Sequence, residues 1–129
     1  MNNDIWECVK VGTHGALGIE KESGEHRCVE RTMDGYNLCP LIIDLIDAAE
    51  SEAEMIAKVE SLIESAEFGS GSVERGSERE HDHEFFALFD CKKKELSTWG
   101  ILLKKKQLEK LFAWGWDLAG AGDCCGDLV

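Results

Sequence analysis

An α+β domain is what this sequence predicts: an antiparallel sheet of about five strands in the order βββ–α–ββ–α, with a long acidic helix and a C-terminal helix packed on it. Three observations carry that reading. Short alternating runs bounded by turn residues fill the chain from Ile5 to Met33. A stretch with apolar residues at helical spacing follows, "LIIDLIDAAESEAEMIAKVESLIESAE" (Leu41–Glu67). Two β-rich runs, "EFFALFDC" and "LSTWGILL", then precede a second helical pattern. A chain of 129 residues has the length of one domain, and the whole of it, 1–129, is taken as one unit. Chains of that size bury somewhat under ~70% of their unfolded surface, so a core forms without staples. The hydrophobic fraction of 43% excludes a wholly disordered chain.

The first strand is "IWECVKV" (Ile5–Val11), the second "ALGIEKE" (Ala16–Glu22) and the third "HRCVERTM" (His26–Met33), with turns at "GTHG", "SGEH" and "MDGYN". They form a meander in its simplest arrangement. The glycines of "GTHGALG" fit neither of the phosphate-cradling patterns, and no helix follows to offer its N-terminus, so a hairpin turn is the reading there.

Pro40 suits the first turn of the long helix. With Ile42 at heptad position a, the a positions are Ile42, Ala49, Ile56 and Ile63, and the d positions are Leu45, Glu52, Val59 and Ala66. The seam is apolar except at Glu52. Such a period implies a curved helix, or two helices with a kink. The kink belongs near "ESEAE", where Ser51 and Glu54 have capping-box spacing.

The segment 69–83 is rich in Gly, Ser and charge and reads as a flexible loop. "EFFALFDC" reads as a strand buried on both faces, "KKKE" as a turn and "LSTWGILL" as its hairpin partner, a helix from Ser97 or Thr98 being the alternative. "KKKQLEKLFAWGWDLA" (Lys104–Ala119) reads as one helix with Leu108, Leu111, Phe112 and Leu118 on its apolar stripe and Gly115 allowing close approach. Residues 120–129 read as a mobile tail. Trp6 and Trp99 fall in strands and are expected in the core. Trp114 and Trp116, two apart on a helix, cannot both point inward, so one of them is expected at a surface, where tryptophan anchors interfaces.

Charge is the feature with functional content. The net charge of −12 argues against direct binding of nucleic acid or anionic membrane. It is also segregated: residues 38–91 hold fourteen acids and three bases, whereas residues 92–110 hold seven lysines and two acids. On the long helix Asp44, Asp47, Glu50, Glu54 and Glu64 fall opposite the apolar seam, and cations are almost absent. An exposed helix gains from i,i+4 pairs of opposite sign, so this crowding serves something other than helix stability. One account is a carboxylate surface for a basic partner. The other is that the helix meets the chain's own lysine runs, Lys92–Lys94 and Lys104–Lys106.

No apolar run approaches the ~20 residues a bilayer span needs. The N-terminus lacks a basic region followed by an apolar one, so a cytoplasmic location is expected and the six cysteines are expected as free thiols. "HDHE" (His81–Glu84) with His26 and Cys28 could gather a metal, but neither CxxC nor HxxxH spacing occurs. Cys124 and Cys125 are read as incidental thiols. No Ser or Cys stands in a local signature with a His and an orienting acid. Neither an enzyme nor a cofactor is expected.

The expectation is a small acidic inhibitor that blocks a basic, nucleic-acid-binding surface of a target protein. Asp44, Asp47, Glu50, Glu54, Glu60 and Glu64 would carry the contact, with Trp114 or Trp116 as an aromatic anchor and the 69–84 loop as a second arm. In size, acid excess and lack of catalytic motif the chain is similar to the anti-restriction and anti-CRISPR inhibitors of phages and mobile elements, some of which imitate DNA. It is similar likewise to the acidic immunity proteins that neutralise nuclease toxins. That likeness is one of composition and carries over no residue. The competing readings are an immunity-type protein, an accessory subunit that dimerises through Trp114 or Trp116 and the lysine-rich helix, and a small metal-binding domain.

Overall fold

The computed structural model describes residues 14–65, 67–74 and 84–119. The strand expected at Ile5–Val11, the second half of the expected loop and the expected tail lie outside the described residues.

Where apolar residues alternate, the chain is extended: β1 (Gly15–Glu20) and β2 (His26–Met33) form an antiparallel hairpin in which Leu17 faces Val29 and Gly18 faces Cys28. A short 3-10 turn (Gly35–Asn37) leads into helix α1 (Leu38–Ala48), and α2 (Glu52–Ser65) follows. Strand β3 (Ser70–Glu74) returns to the free edge of β2. Strands β4 (Phe85–Asp90) and β5 (Glu95–Trp99) make the expected hairpin, then come α3 (Lys105–Ala113) and the two-residue strand β6 (Asp117–Leu118). The sheet order is β3-β2-β1-β4-β5-β6.

The α+β class stands, and several expectations are corrected. The sheet is mixed, since β1 runs parallel to β4 and β5 parallel to β6. After the β1–β2 hairpin the chain crosses the helical layer and adds β3 to the outer edge of β2 before β4 pairs with β1, and a connection of that length permits parallel pairing. The expected loop at 69–83 contains β3, because the outer edge of β2 offers unpaired backbone groups that any extended segment can satisfy. Beyond Trp99 the run "GILL" leaves the sheet at Gly100, where φ is +77° and a Cβ would collide with the Glu84 carbonyl, so glycine is required. Trp99 itself pairs with Phe86 on the sheet face away from the helices and is 47% exposed, not core.

All three helices cover the sheet face that presents Leu17, Ile19, Val29, Ala87, Phe89 and Leu96. Helix α1 lies over β1 and β4, α2 over β1 and β2, and α3 packs beside α1 on the side remote from α2. Ile42, Leu45, Ile46 and Ala49 from α1 and its end, and Met55, Val59 and Ile63 from α2, complete the core. Each of the larger of these side chains contributes about 1.5–3 kcal/mol by leaving water.

The expected kink is a full break. Ala49 is extended (ψ 134°) and buried, which ends α1. Ser51 then caps α2: its Oγ accepts the Glu54 N–H at 3.1 Å, and the Glu54 carboxylate reaches back to accept the Glu50 N–H at 2.8 Å. Past the break Val59 and Ile63 keep their expected inward positions, while Met55 is buried and Ile56 only partly so.

The C-terminal helix also stops earlier than its apolar stripe implies. Gly115 takes φ +86°, its N–H reaches the Phe112 carbonyl at 2.9 Å, and the Trp116 N–H reaches the Leu111 carbonyl at 2.9 Å. That pair of bonds is the Schellman arrangement, so Gly115 serves a left-handed turn and not close approach. The turn swings Trp116 into the core at 1% exposure, edge-on to Phe89 with ring centroids 6.1 Å apart. Phe112, expected on the apolar stripe, is 50% exposed, and Gln107 is buried in its place.

Candidate partner-binding surface

Glu52 breaks the apolar seam, and its surroundings explain it. Its Oε2 accepts the Trp116 indole N–H at 2.7 Å, and Lys94 Nζ lies 3.1–3.2 Å from its two oxygens. The indole bond, with Lys94 beside it, holds the Glu52 carboxyl below the usual carboxylate range against the opposing effect of burial. Lys94 ends the "KKKE" turn in a left-handed conformation, φ 57°, and its carbonyl accepts the Asp117 N–H at 2.9 Å. Asp90 organises the same turn by accepting the Lys92 and Lys93 N–H groups at 3.0 and 3.1 Å. Three distant segments thus close on one half-buried carboxylate.

Asp47 is likewise engaged. Its Oδ1 accepts from Gln107 Nε2 at 2.9 Å, Lys106 Nζ lies 3.9 Å from Oδ2, and its backbone carbonyl accepts from Lys110 Nζ at 2.7 Å. The Gln107 carbonyl oxygen in turn accepts the Lys104 N–H at 2.8 Å, which caps α3. On the other flank Glu60 pairs with Lys21 at 2.8 Å and Glu64 with Arg27 at 2.6 Å; the bonds to Glu60 and Glu64 raise the pKa of Lys21 and Arg27 respectively.

The six acids expected to form one surface therefore divide. Asp47, Glu60 and Glu64 are tied to the chain's own cations. Asp44, Glu50 and Glu54 are exposed, and among the described residues no cation pairs with them or with exposed Glu67. Trp116 is sealed in the core. Trp114 is half-buried, with Lys110 Nζ 5.8 Å from its ring centroid. Sequence reasoning set Glu52 aside as a flaw in the seam, and the signal that could have placed it was Gly115, which ends α3 and frees Trp116 to turn inward.

Between α1 and α2 runs an open groove of about 510 Å³. Leu41, Leu45, Ala48 and Leu62 give it an apolar floor, and Asp44 and Lys58 stand on opposite walls without an ion pair between them. The lining residues recur at i, i+3, i+4 and i+7 on both helices, so the groove is bounded by two regular helical stripes.

Among the described residues no three His, Cys, Asp or Glu side chains gather as metal ligands. His81, Asp82 and His83 lie outside the described residues, and Glu84 accepts the His14 N–H at 2.8 Å. His26 is exposed and Cys28 buried on the sheet face away from the helices. Cys28, Cys39 and Cys91 are free thiols. Cys91 lines a shallow 320 Å³ cavity with Lys21, Glu22 and Glu52. Burial, together with the neighbouring Asp90 carboxylate, pushes its pKa up to about 11, so it is a thiol rather than a nucleophilic thiolate at neutral pH. No described helix is long and apolar enough to cross a membrane.

Comparison with protein-family models, with curated proteins and with solved structures gives no match.

Proposed function

We propose that this chain is a protein-binding inhibitor that acts by occupancy, its α1–α2 layer docking on a basic, nucleic-acid-binding surface of another protein. The observation that supports the reading is the leftover charge. Where an acid of this layer has a structural task, the fold supplies a cation or donor for it, as at Asp47, Glu52, Glu60 and Glu64. Asp44, Glu50 and Glu67 have exposed carboxylates with no such task among the described residues, and Glu54 spends only one oxygen on a backbone N–H. A chain of net charge −12 repels polyanions, and the surface it complements best is one built to hold them. Complementary fields of this kind speed and orient association, and salt weakens them.

The test compares two charge variants with the wild type. One carries Asp44→Lys, Glu50→Lys and Glu67→Lys with Glu54→Gln, which preserves the cap. The other reverses Glu22, Glu25 and Asp117, exposed acids elsewhere. Partners captured by each are measured for nucleic-acid binding by gel shift, with and without the wild-type protein. The expected result is a partner lost with the first variant, kept with the second, and released from nucleic acid by the wild type. Equal capture by both variants would end the proposal.

A further inference from the structure

The lysine run that opens α3 is as anomalous as the acids of α1. Lys104, Lys105 and Lys106 crowd a helix N-terminus, where the macrodipole disfavours cations by a few tenths of a kcal/mol or more each. Lys106 is offset by Asp47. Lys105 has no ion-pair partner among the described residues, and neither has Glu109 one turn further on. Phe112 completes the same i, i+4, i+7 stripe and is 50% exposed. This stripe carries a cation, an anion and an aromatic ring in that order, about 6 Å and then about 4.5 Å apart along the helix axis.

The groove between α1 and α2 offers the complement. Asp44 and Lys58 face each other across it unpaired, and the floor between them is apolar. Lys105 matches Asp44, Glu109 matches Lys58, and Phe112 matches the Leu41–Leu45–Leu62 floor. One molecule cannot make these contacts with itself, because α1 lies between α3 and the groove. We infer that the exposed stripe of α3 docks in the α1–α2 groove of a second copy, and by two-fold symmetry receives the same contact in return. The helices share one side of the sheet, and Lys105, Glu109 and Phe112 on α3, like Asp44 and Ala48 at the groove, are exposed, as an isologous dimer needs. The like net charge of two copies opposes the contact at long range, but at physiological ionic strength fields are screened beyond about 8 Å and local complementarity decides.

The experiment is molar mass by light scattering and sedimentation over a concentration series at physiological salt. The wild type should approach twice its monomer mass as concentration rises. Ala48→Arg, which fills the groove from an exposed position, and Phe112→Asp should each stay monomeric, with near-ultraviolet circular dichroism showing the native fold. Asp44→Lys and Lys105→Glu should each weaken the dimer about tenfold, equivalent to ~1.4 kcal/mol over two symmetric contacts, and the double variant should recover it. A wild type that stays monomeric throughout, a dimer indifferent to Ala48→Arg and Phe112→Asp, or a charge swap without recovery would overturn the inference. Phe112→Asp leaves all the α1–α2 acids in place, so loss of the dimer and loss of a basic partner are separately measurable.

Discussion

At the α3 side of the helical layer, Glu52 and Asp47 are held by an indole, an amide and three lysine ammoniums from segments far apart in sequence. Less than two turns of helix away, Asp44, Glu50 and Glu54 are exposed and form no ion pair among the described residues. The acids are of one chemical kind and close in sequence, yet the first set ties distant segments together, whereas in the second only Glu54 makes a side-chain bond, a local one to the Glu50 N–H. The difference teaches that net charge is a poor guide to a binding surface until the internally used carboxylates are removed from it. A charged group that is half-buried and bonded stabilises the fold through satisfied donors, whereas an exposed one contributes within the noise of surface effects.

Substitutions can break that contrast or sharpen it. Trp116→Ala should cost the most, about 3–5 kcal/mol in urea unfolding, because it empties a fully buried site against Phe89 and releases the Glu52 bond. Glu52→Ala should come next, at about 1–3 kcal/mol, since it strands the indole N–H and leaves Lys94 without its carboxylate. The sign with pH follows from the lowered Glu52 pKa. Its stabilisation is present above the ordinary value of 4.5 and is lost as pH falls through the folded value. Thermal unfolding of the wild type should therefore weaken more steeply below that pH than unfolding of Glu52→Gln. Gly115→Ala should cost about 1–2 kcal/mol by forcing a Cβ into the left-handed region that aims Trp116 inward. Arg27→Ala should cost only ~0.2–1 kcal/mol, as an exposed pair. Asp44→Asn should change stability by no more than about 0.5 kcal/mol while weakening the proposed contacts. A large loss there would show that Asp44 has a structural partner and would dissolve the contrast.

Much of the secondary structure was legible. β1, β2, β4 and β5 coincide with alternating or apolar runs between turn residues, and the Ser51–Glu54 spacing marks the start of α2 within a segment that otherwise reads as one helix. β3 was not legible, since "SGSVE" has little strand propensity and is extended because β2 has a free edge. The end of α3 was readable in principle from Gly115, but the apolar residues beyond it mimic a continuing stripe. Of the candidate surface, the helix bearing the acids was evident and the division among them was not. Pairing Glu52 with Lys94 spans 42 residues, and pairing Asp47 with Gln107 spans 60. No local pattern encodes such distances.

Local chemistry was enough to fix the α+β class, the capped start of α2, the "KKKE" hairpin and the segregation of charge, because each depends on backbone preference and side-chain periodicity within a few residues. Which carboxylates are spent, which way Trp116 and Trp99 face, and the parallel junction of β1 with β4 came from packing alone. Those depend on which surfaces meet when the helices settle on the sheet, and burial then rewards only the donors and acceptors that find each other there.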